Sequence, residues 1–204
     1  TFEYIDPVRY IGNFSSGKMG FALANIAGEL GAEVYLVTGP SALTIKSDQI
    51  KKIDIISADE MFKISSDLFK KCDIAILSAA VSDFKPKKIN RKKIKKENFK
   101  NLSIELVPNI DILKTLGSQK TNQILVGFAL ETENGLENAY KKIDQKNLDA
   151  IVLNNFHDKG AGFNSDTNKI TFINNKKEFK EFKLKSKEKV SLDIFNQILK
   201  IIDE

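Results

Sequence analysis

The amino-acid sequence predicts an α/β fold, with a Rossmann-like, mostly parallel sheet that carries helices on both faces. Short apolar segments typical of buried strands alternate along the chain with longer segments in which apolar residues recur at helical spacing. The chain has 204 residues, 42% of them hydrophobic, which is enough to bury one core without disulfides. We therefore predict a single domain over residues 1–204, with a mobile basic flap over residues 84–100.

In the first half of the chain, residues 1–16 are polar and contain a proline, and we interpret them as a loop. Because no strand precedes this loop, the sheet is expected to lack its first strand. One helix is predicted to begin at Gly17 and to stop at Gly31, and a second begins at the capping box of Ser57 and Glu60. The predicted strands are Glu33–Thr38, Ile53–Ile56 and Asp73–Ala80, the last of them buried on both faces.

The same alternation continues in the second half. The predicted strands there are Gln123–Ala129, Asp149–Leu153, and a small hairpin of Lys169–Asn174 and Phe179–Leu184 that turns at Asn174–Asn175. The predicted helices are Asn109–Leu116, Asn134–Lys146 and a terminal helix with the apolar stripe Val190, Ile194, Ile198 and Ile201.

Charge and cysteine content exclude several classes of protein. Between Lys85 and Lys96 there are eight basic residues and no acidic one, whereas the whole chain carries a net charge of only +5. The remainder is therefore net acidic, which argues against an extended nucleic-acid surface. The single cysteine, Cys72, excludes a disulfide scaffold and a cysteine-built zinc site, and we interpret it as a core residue. No apolar run reaches the roughly 18 residues of a membrane span, so we expect a cytoplasmic protein without membrane or nucleic-acid partners.

Ligands of such folds bind outside the carboxyl ends of the strands. Three segments should gather at that edge: the loop before Gly17, the loop after Ala80, and the turn at 129–133. In the first of them, residues 12–18 have the spacing G-x-x-x-x-G-K of a P-loop, but Met19 stands where Ser or Thr would hold magnesium. We reject a P-loop, and two interpretations stay open: an anion site at a helix N-terminus, or a serine-capped helix start.

Small residues over Ser78–Phe84 would let a ligand approach the backbone closely. Asp83 would then bind a metal or a ribose hydroxyl, or else simply cap the local backbone. The basic flap follows directly, so one of its lysines could close over a polyphosphate; the alternative is a solvated run of charge. His157 is the only histidine, and we interpret it as a loop residue because no G-x-S-x-G motif accompanies it.

The most specific motif is the opening run T-x-E-x-I-D-P-V-R-Y-I-x-N-x-S-S-G-K-M-G over residues 1–20. Further motifs follow in order at Ala79–Phe84, Lys93–Lys96, Asn109-x-Asp111-Ile112, Val126–Thr132, Lys146–Asp149 and Gly162–Asp166. Together they resemble phosphopantothenoylcysteine synthetase, in the form that is the C-terminal half of the bacterial bifunctional coenzyme A biosynthesis protein.

The resemblance implies a ligase that joins 4′-phosphopantothenate to L-cysteine with CTP and Mg²⁺. The substrate carboxylate would attack the α-phosphate of CTP, giving an acyl-cytidylate and pyrophosphate, and the cysteine amine would then release CMP. The first step brings two anions together and therefore needs cations. The second builds charge on a carbonyl oxygen, which calls for an uncharged donor held in place.

The resemblance also implies roles for individual residues. Asn13 and Arg9 would bind phosphopantothenate and act in catalysis, with Asn13 needed to turn over the acyl-cytidylate, and Lys93 would be the flap lysine of the nucleotide site. The CTP site would be formed by Ser78, Ala79, Ala80, Asp83, Lys93, Ile110, Asp111, Ile112, Leu113, Phe128, Lys142 and Lys146. The metal-binding group is unknown.

The family further implies a homodimer and no FMN in this chain. Whether the natural protein is fused to a decarboxylase domain stays open. One alternative function stays open, which is a non-catalytic nucleotide- or nucleic-acid-binding module that uses the lysine-rich flap.

Overall fold

Eleven strands and five helices form within residues 1–98, 101–158, 160–162 and 165–203, which are the residues that the computed structural model describes. The strands are β1 (Glu3–Asp6), β2 (Arg9–Ile11), β3 (Val34–Thr38), β4 (Ile50–Asp54), β5 (Ile74–Leu77), β6 (Phe84–Pro86), β7 (Leu106–Pro108), β8 (Ile124–Glu131), β9 (Ala150–Asn155), β10 (Thr167–Asn174) and β11 (Phe179–Ser186). The helices are α1 (Lys18–Glu29), α2 (Ala58–Phe69), α3 (Ile112–Gln119), α4 (Gly135–Lys146) and α5 (Lys187–Asp203).

The central sheet has five strands in the order β11-β10-β9-β8-β5. Strands β5, β8 and β9 are parallel, and β10 and β11 form an antiparallel hairpin at the far edge. The hairpin turn carries Lys177 in the left-handed region, with φ 66°. The predicted fold class is confirmed, including its small C-terminal hairpin.

Helices cover both faces of this sheet, because neighbouring residues of β8 and β9 point to opposite sides. On one face, Leu125 and Ile151 lie in an apolar cluster with residues of α2, α3 and α4, namely Met61, Phe69, Ile112, Leu116, Ala139 and Ile143. On the other face, Val126 and Val152 pack with residues of α1 and α5, namely Leu23, Val190, Ile194 and Ile198. The predicted terminal stripe is thus the buried face of α5.

The parallel pair β3–β4 forms a separate two-stranded sheet. Among the described strands, β3 pairs only with β4 and β5 pairs only with β8, so each has one unpaired edge. Val37 of β3 and Ala75 and Leu77 of β5 pack against the same apolar cluster, so both sheets share one core. The missing first strand stays a prediction. β5 is only half-buried, which corrects the expectation of a strand buried on both faces.

The opening segment is not a loop, because β1 and β2 form an antiparallel hairpin there. The prediction was wrong because the strands are short and their buried residues are polar. Glu3 is buried because its Oε1 accepts a hydrogen bond of 2.9 Å from the N–H of Ala58, at the start of α2. Such long-range partners leave no local signal in the sequence.

Three predicted boundaries also differ from the structure. The strand predicted at 53–56 lies at Ile50–Asp54, because β4 runs in register with β3 and pairs Val34 with Ile50. The helix predicted from 109 begins at Ile112, because Asp111 is its N-cap and accepts from the N–H of Lys114 at 2.9 Å. The flap begins as a strand, since β6 pairs with β7; its mobility stays a prediction, and Phe99 and Lys100 lie outside the described residues.

Helix starts were predicted with mixed success. Ser57 caps α2 and accepts from the N–H of Glu60, as predicted, although Glu60 accepts from Ile56 and not from Ser57. The start of α1 has no side-chain cap: its N-cap is Gly17, in the left-handed region with φ 76°. The cap position is therefore a glycine and not a serine. Serine hydroxyls still accept at this helix start, because Oγ of Ser15 and Oγ of Ser16 accept from the N–H groups of Gly17 at 3.4 Å and Lys18 at 3.5 Å.

Candidate active site

Two of the three predicted loops are in direct contact at the carboxyl end of β5. The side-chain Nδ2 of Asn13 donates to the carbonyl oxygens of Ala80 at 3.3 Å and Val81 at 3.1 Å. A Cβ at Gly20 would lie 3.2 Å from Oγ of Ser78, so the first turn of α1 also lies close to this loop. The third segment ends the neighbouring strand β8, whose Gly127 pairs with Leu77. The loop before Gly17 and the loop after β5 thus gather as predicted, and Ser78 and Ala80, predicted within the strand, lie in that second loop because β5 ends at Leu77.

The loop after β5 is joined to the start of α3 by Asn109. Its backbone N–H donates to the carbonyl of Asp83 at 2.8 Å, and its Nδ2 donates to the carbonyl of Ser82 at 2.8 Å. Asn109 belongs to one of the family-like sequence motifs, but no role for its side chain follows from the sequence. The contacts place Ile110 next to the Asp83 loop, while the carboxylate of Asp83 itself is exposed.

Arg9 lies beside the flap. Its Nη2 pairs with Oδ2 of Asp6 at 2.8 Å and donates to the carbonyl of Ile94 at 2.6 Å. Lys93 precedes Ile94, is exposed, and makes no hydrogen bond or ion pair with another described residue. The structure thus brings Arg9 next to the flap segment that carries Lys93, although these residues are far apart in sequence.

Two lysines predicted for the CTP site are paired with carboxylates. Nζ of Lys146 lies 2.8 Å from Oδ2 of Asp111, and Nζ of Lys142 lies 2.5 Å from Oε1 of Glu131. Burial would raise the pKa of Asp111 and of Glu131, but the hydrogen bonds and positive charge of these lysines lower both pKa values below their usual range. Asn138 also donates to Glu131, a residue quoted in a motif without a role.

The remaining predicted residues divide between the two faces of the sheet. Ile110 and Leu113 pack against the cluster shared with α2 and α4, whereas Phe128 packs against the cluster shared with α1 and α5. Ile112 is buried in the core, so only its backbone can line a ligand pocket. The structure therefore does not bring the side chain of Phe128 together with those of Ile110 and Leu113.

Other candidate residues have structural partners. Nζ of Lys18 lies 2.6 Å from Oδ1 of Asp166. Cys72 is half-buried and donates to the carbonyl of Phe69 at 3.5 Å, and burial raises the pKa of its thiol. His157 is exposed beside the ring of Phe156. Phe163 and Asn164, part of one quoted motif, lie outside the described residues.

Neither a membrane-spanning helix nor a cluster of metal ligands occurs in the part of the chain that the structure describes. None of its helices is long and apolar enough to cross a membrane. No group of three or more His, Cys, Asp or Glu side chains among those residues is arranged to hold a metal ion.

A mostly parallel sheet, with contacting loops at the carboxyl ends of its strands and a basic flap beside them, defines an α/β ligand-binding domain. Residues 1–202 match the DNA/pantothenate metabolism flavoprotein C-terminal domain. The chain belongs to this family, and the resemblance seen in the sequence motifs is confirmed.

Similar proteins agree with this assignment. The chain is 43% identical over 198 residues to the coenzyme A biosynthesis bifunctional protein CoaBC of Bacillus subtilis, covering 97% of this chain and 48% of that protein. It is 50% identical over 203 residues to a cysteine/cysteine sulfinic acid decarboxylase of an unknown prokaryotic organism, covering 99% of this chain and 56% of that protein. The chain thus spans about half the length of the curated relatives it matches.

Solved structures share the fold. The crystal structure of the C-terminal domain of CoaBC superposes with a TM-score of 0.84 at 38% identity, covering 100% of this chain and 92% of that one. A complex of the Cab2 mutant H337A with phosphopantothenate-cysteine superposes with a TM-score of 0.78 over 100% of this chain and 85% of that one. At 18% identity, this second likeness concerns the fold alone.

Proposed function

We propose that this domain is the CTP-dependent ligase that joins 4′-phosphopantothenate to L-cysteine through an acyl-cytidylate, releasing CMP and pyrophosphate. The observation that carries the proposal is the contact of the Asn13 amide with the carbonyls of Ala80 and Val81 at the carboxyl end of β5. The similarity to the C-terminal domain of CoaBC, a coenzyme A biosynthesis protein, supports it.

In the first step, a substrate carboxylate approaches a triphosphate, and cations must offset their repulsion. Lys142 and Lys146 are each paired with a carboxylate, so their charge is already partly neutralised. Lys93 is exposed and makes no ion pair with a described residue, which leaves its charge available to the triphosphate. The contacts of the Arg9 side chain with Asp6 and Ile94 both use Nη2, which leaves the N–H donors of Nε and Nη1 for a ligand. A guanidinium suits an anionic substrate.

In the second step, the cysteine amine attacks the acyl carbon and negative charge develops on the acyl oxygen. Asn13 supplies an uncharged amide whose position is set by the carbonyls of Ala80 and Val81. Exchanging one of those two bonds for a bond to the acyl oxygen would stabilise that charge without adding a cation next to the amine.

Magnesium would arrive with the nucleotide. Mg²⁺ is usually held by one or two carboxylates together with substrate phosphates, and it does not need an all-protein cage. The single exposed carboxylate of Asp83 at the end of β5 fits that donor set. Bound there, the ion would neutralise phosphate charge.

We also propose that two copies associate through the hairpin β1–β2 and the adjoining flap. The N–H of Asn90, in the flap, donates to the carbonyl of Ile5, in the hairpin, at 2.9 Å, so the hairpin and the flap lie side by side. Large apolar side chains are exposed along them, namely Tyr4, Val8, Tyr10, Phe84, Ile89 and Leu106. Clusters of this kind mark association surfaces more often than single exposed apolar residues do.

Sedimentation velocity tests this association. We expect the wild type to sediment as a dimer and Ile89→Glu as a monomer, because a charge would then be desolvated in the interface. Leu199→Glu is the matched control, since Leu199 is similarly exposed but lies on α5. A monomeric wild type, or equal effects of the two substitutions, would contradict the proposed surface.

The ligase activity is tested by pyrophosphate release from CTP with 4′-phosphopantothenate and Mg²⁺, with and without L-cysteine, and with ATP as a control nucleotide. We expect release that depends on phosphopantothenate and prefers CTP, and CMP that appears only when cysteine is added. Absence of release, together with salt-sensitive binding of a polynucleotide, would instead favour the binding-module alternative. Against that alternative, Lys85 and Lys87 of the flap are paired with Asp59 and Glu105.

A further inference from the structure

We propose that Asp6 is a positioning residue that holds the flap lysine Lys93 over the nucleotide by binding the backbone of Ile94. This inference rests on the proposed function, because it takes the triphosphate of CTP as the partner of Lys93. Asp6 does not contact the reacting atoms in this proposal; it acts through the flap backbone.

The carboxylate of Asp6 is fully buried and its two oxygens are both occupied. Oδ1 accepts from the backbone N–H groups of Val8 at 2.9 Å and Arg9 at 3.0 Å, which closes the turn between β1 and β2. Oδ2 pairs with Nη2 of Arg9 at 2.8 Å and accepts from the N–H of Ile94 at 3.1 Å. Oδ1 therefore stabilises the local turn, whereas Oδ2 binds the flap backbone.

Both backbone groups of Ile94 are bound in this way. Asp6 accepts from its N–H, and Arg9 donates to its carbonyl at 2.6 Å. Both peptide units that flank the Ile94 Cα are therefore fixed, and the first of them joins Ile94 to Lys93, which restricts the position of the Lys93 Cα. The side chain of Lys93 stays exposed, and it makes no hydrogen bond or ion pair with another described residue. The flap backbone is thus anchored where its lysine is available to a ligand.

The anchor joins two parts of the chain that the proposed reaction must bring together. The hairpin β1–β2 carries Arg9 and leads into the loop of Asn13, whereas the flap carries Lys93. Asp6 links the two through a carboxylate that needs to be ionised. Burial would raise its pKa, but the N–H donors of Val8, Ile94 and Arg9 and the Arg9 charge keep that pKa below its ordinary value.

Amide exchange at Ile94 tests the anchor directly. In Asp6→Asn, the NH₂ group faces donors in either position: the N–H of Ile94 and the Arg9 guanidinium at Oδ2, or the N–H groups of Val8 and Arg9 at Oδ1. Either way, the negative charge that strengthens the bond to the Ile94 N–H is lost. We expect exchange of the Ile94 amide, measured by NMR, to become about tenfold faster. Glu105→Gln is the matched control, because the Glu105 carboxylate pairs with the side chain of the flap residue Lys87 at an exposed position, and the substitution leaves the backbone bond between these two residues in place. Unchanged exchange at Ile94 in Asp6→Asn would overturn the proposal.

Steady-state kinetics test whether the anchor acts through Lys93. We expect Asp6→Asn to raise the KM for CTP about tenfold and to leave the KM for L-cysteine unchanged, the pattern expected when a nucleotide contact is misplaced. In a Lys93→Ala background the same substitution should have almost no further effect on the KM for CTP. Additive effects, or equal changes in both KM values, would overturn the role assigned to Asp6.

Two further measurements separate failure of the proposed ligase function from failure of the role proposed for Asp6. If the wild type shows no CTP-dependent turnover, the proposed function fails, while exchange at Ile94 still decides whether Asp6 anchors the flap. If Asp6→Asn does not fold, Ile94→Pro removes the N–H donor and leaves the bond between Asp6 and Arg9 in place. It should raise the KM for CTP in the same way, and an unchanged KM would overturn the proposal.

Discussion

Asn13→Ala is expected to lower the rate of product formation by at least about 100-fold, which is the usual cost of removing one donor from a developing oxyanion. The acyl-cytidylate should still form, because Asn13 is assigned to the second step only. Rapid-quench experiments with labelled CTP should therefore show pyrophosphate release and a nucleotide-linked intermediate that accumulates without CMP.

The matched control for this substitution is Asn174→Ala. Asn174 also makes side-chain hydrogen bonds, to Glu178. It pairs with Ala150, the first residue of β9, and so lies at the amino ends of the parallel strands, away from the candidate site. We expect its turnover to match that of the wild type. If Asn13→Ala made product at the wild-type rate, the role of Asn13 would be wrong; if it abolished pyrophosphate release, Asn13 would belong to the first step.

Asp149→Asn is expected to lower the free energy of unfolding by about 3 kcal/mol, because it leaves a largely buried lysine without its counter-charge. Nζ of Lys120 lies 2.9 and 2.8 Å from the two carboxylate oxygens of Asp149, and the side chains are only 11% and 17% exposed. Oδ2 of Asp149 also accepts from the N–H of Leu125 at 2.7 Å, which ties β8 to the start of β9.

Urea unfolding followed by circular dichroism measures this change. Glu137→Gln is the control, since it makes the same carboxylate-to-amide change in the Lys141–Glu137 pair, which is 60% and 66% exposed. Exposed pairs contribute less than about 1 kcal/mol, so this variant should unfold almost as the wild type does. Equal losses in the two variants would contradict the importance of burial. The folded fraction of Asp149→Asn should keep its turnover, because Asp149 lies at the edge opposite the site.

The alternation of strands and helices predicted the central sheet well, because each long element has its own apolar periodicity and its own start and stop residues. The helix stop at Gly31, the strand in Val34–Thr38 and the buried stripe of α5 follow from local signals alone. The hairpin β1–β2 did not, since its buried Glu3 and Asp6 are explained only by partners 55 and 88 residues away.

The same distinction applies to the candidate site. The meeting of the Asn13 loop with the loop after β5 was predicted from the rule for carboxyl ends of parallel strands, but the strand that precedes Asn13 is β2 of an antiparallel hairpin, outside the parallel sheet. The anchoring of Ile94 by Asp6 and Arg9 was not predicted, because hydrogen bonds to backbone groups carry no side-chain signature at the residue that is bound. The separation of Phe128 from Leu113 depends on which face of β8 each residue meets, and that is decided by tertiary packing.

The unpaired edges of β3 and β5 also bear on strand addition to this domain. A strand edge with free backbone donors and acceptors, flanked by half-buried apolar side chains, is a template for pairing with another chain. On β5 the side chains from Ile74 to Leu77 are all only half-buried. A strand that adds to either edge, from a second copy or from another segment, would therefore satisfy these backbone groups.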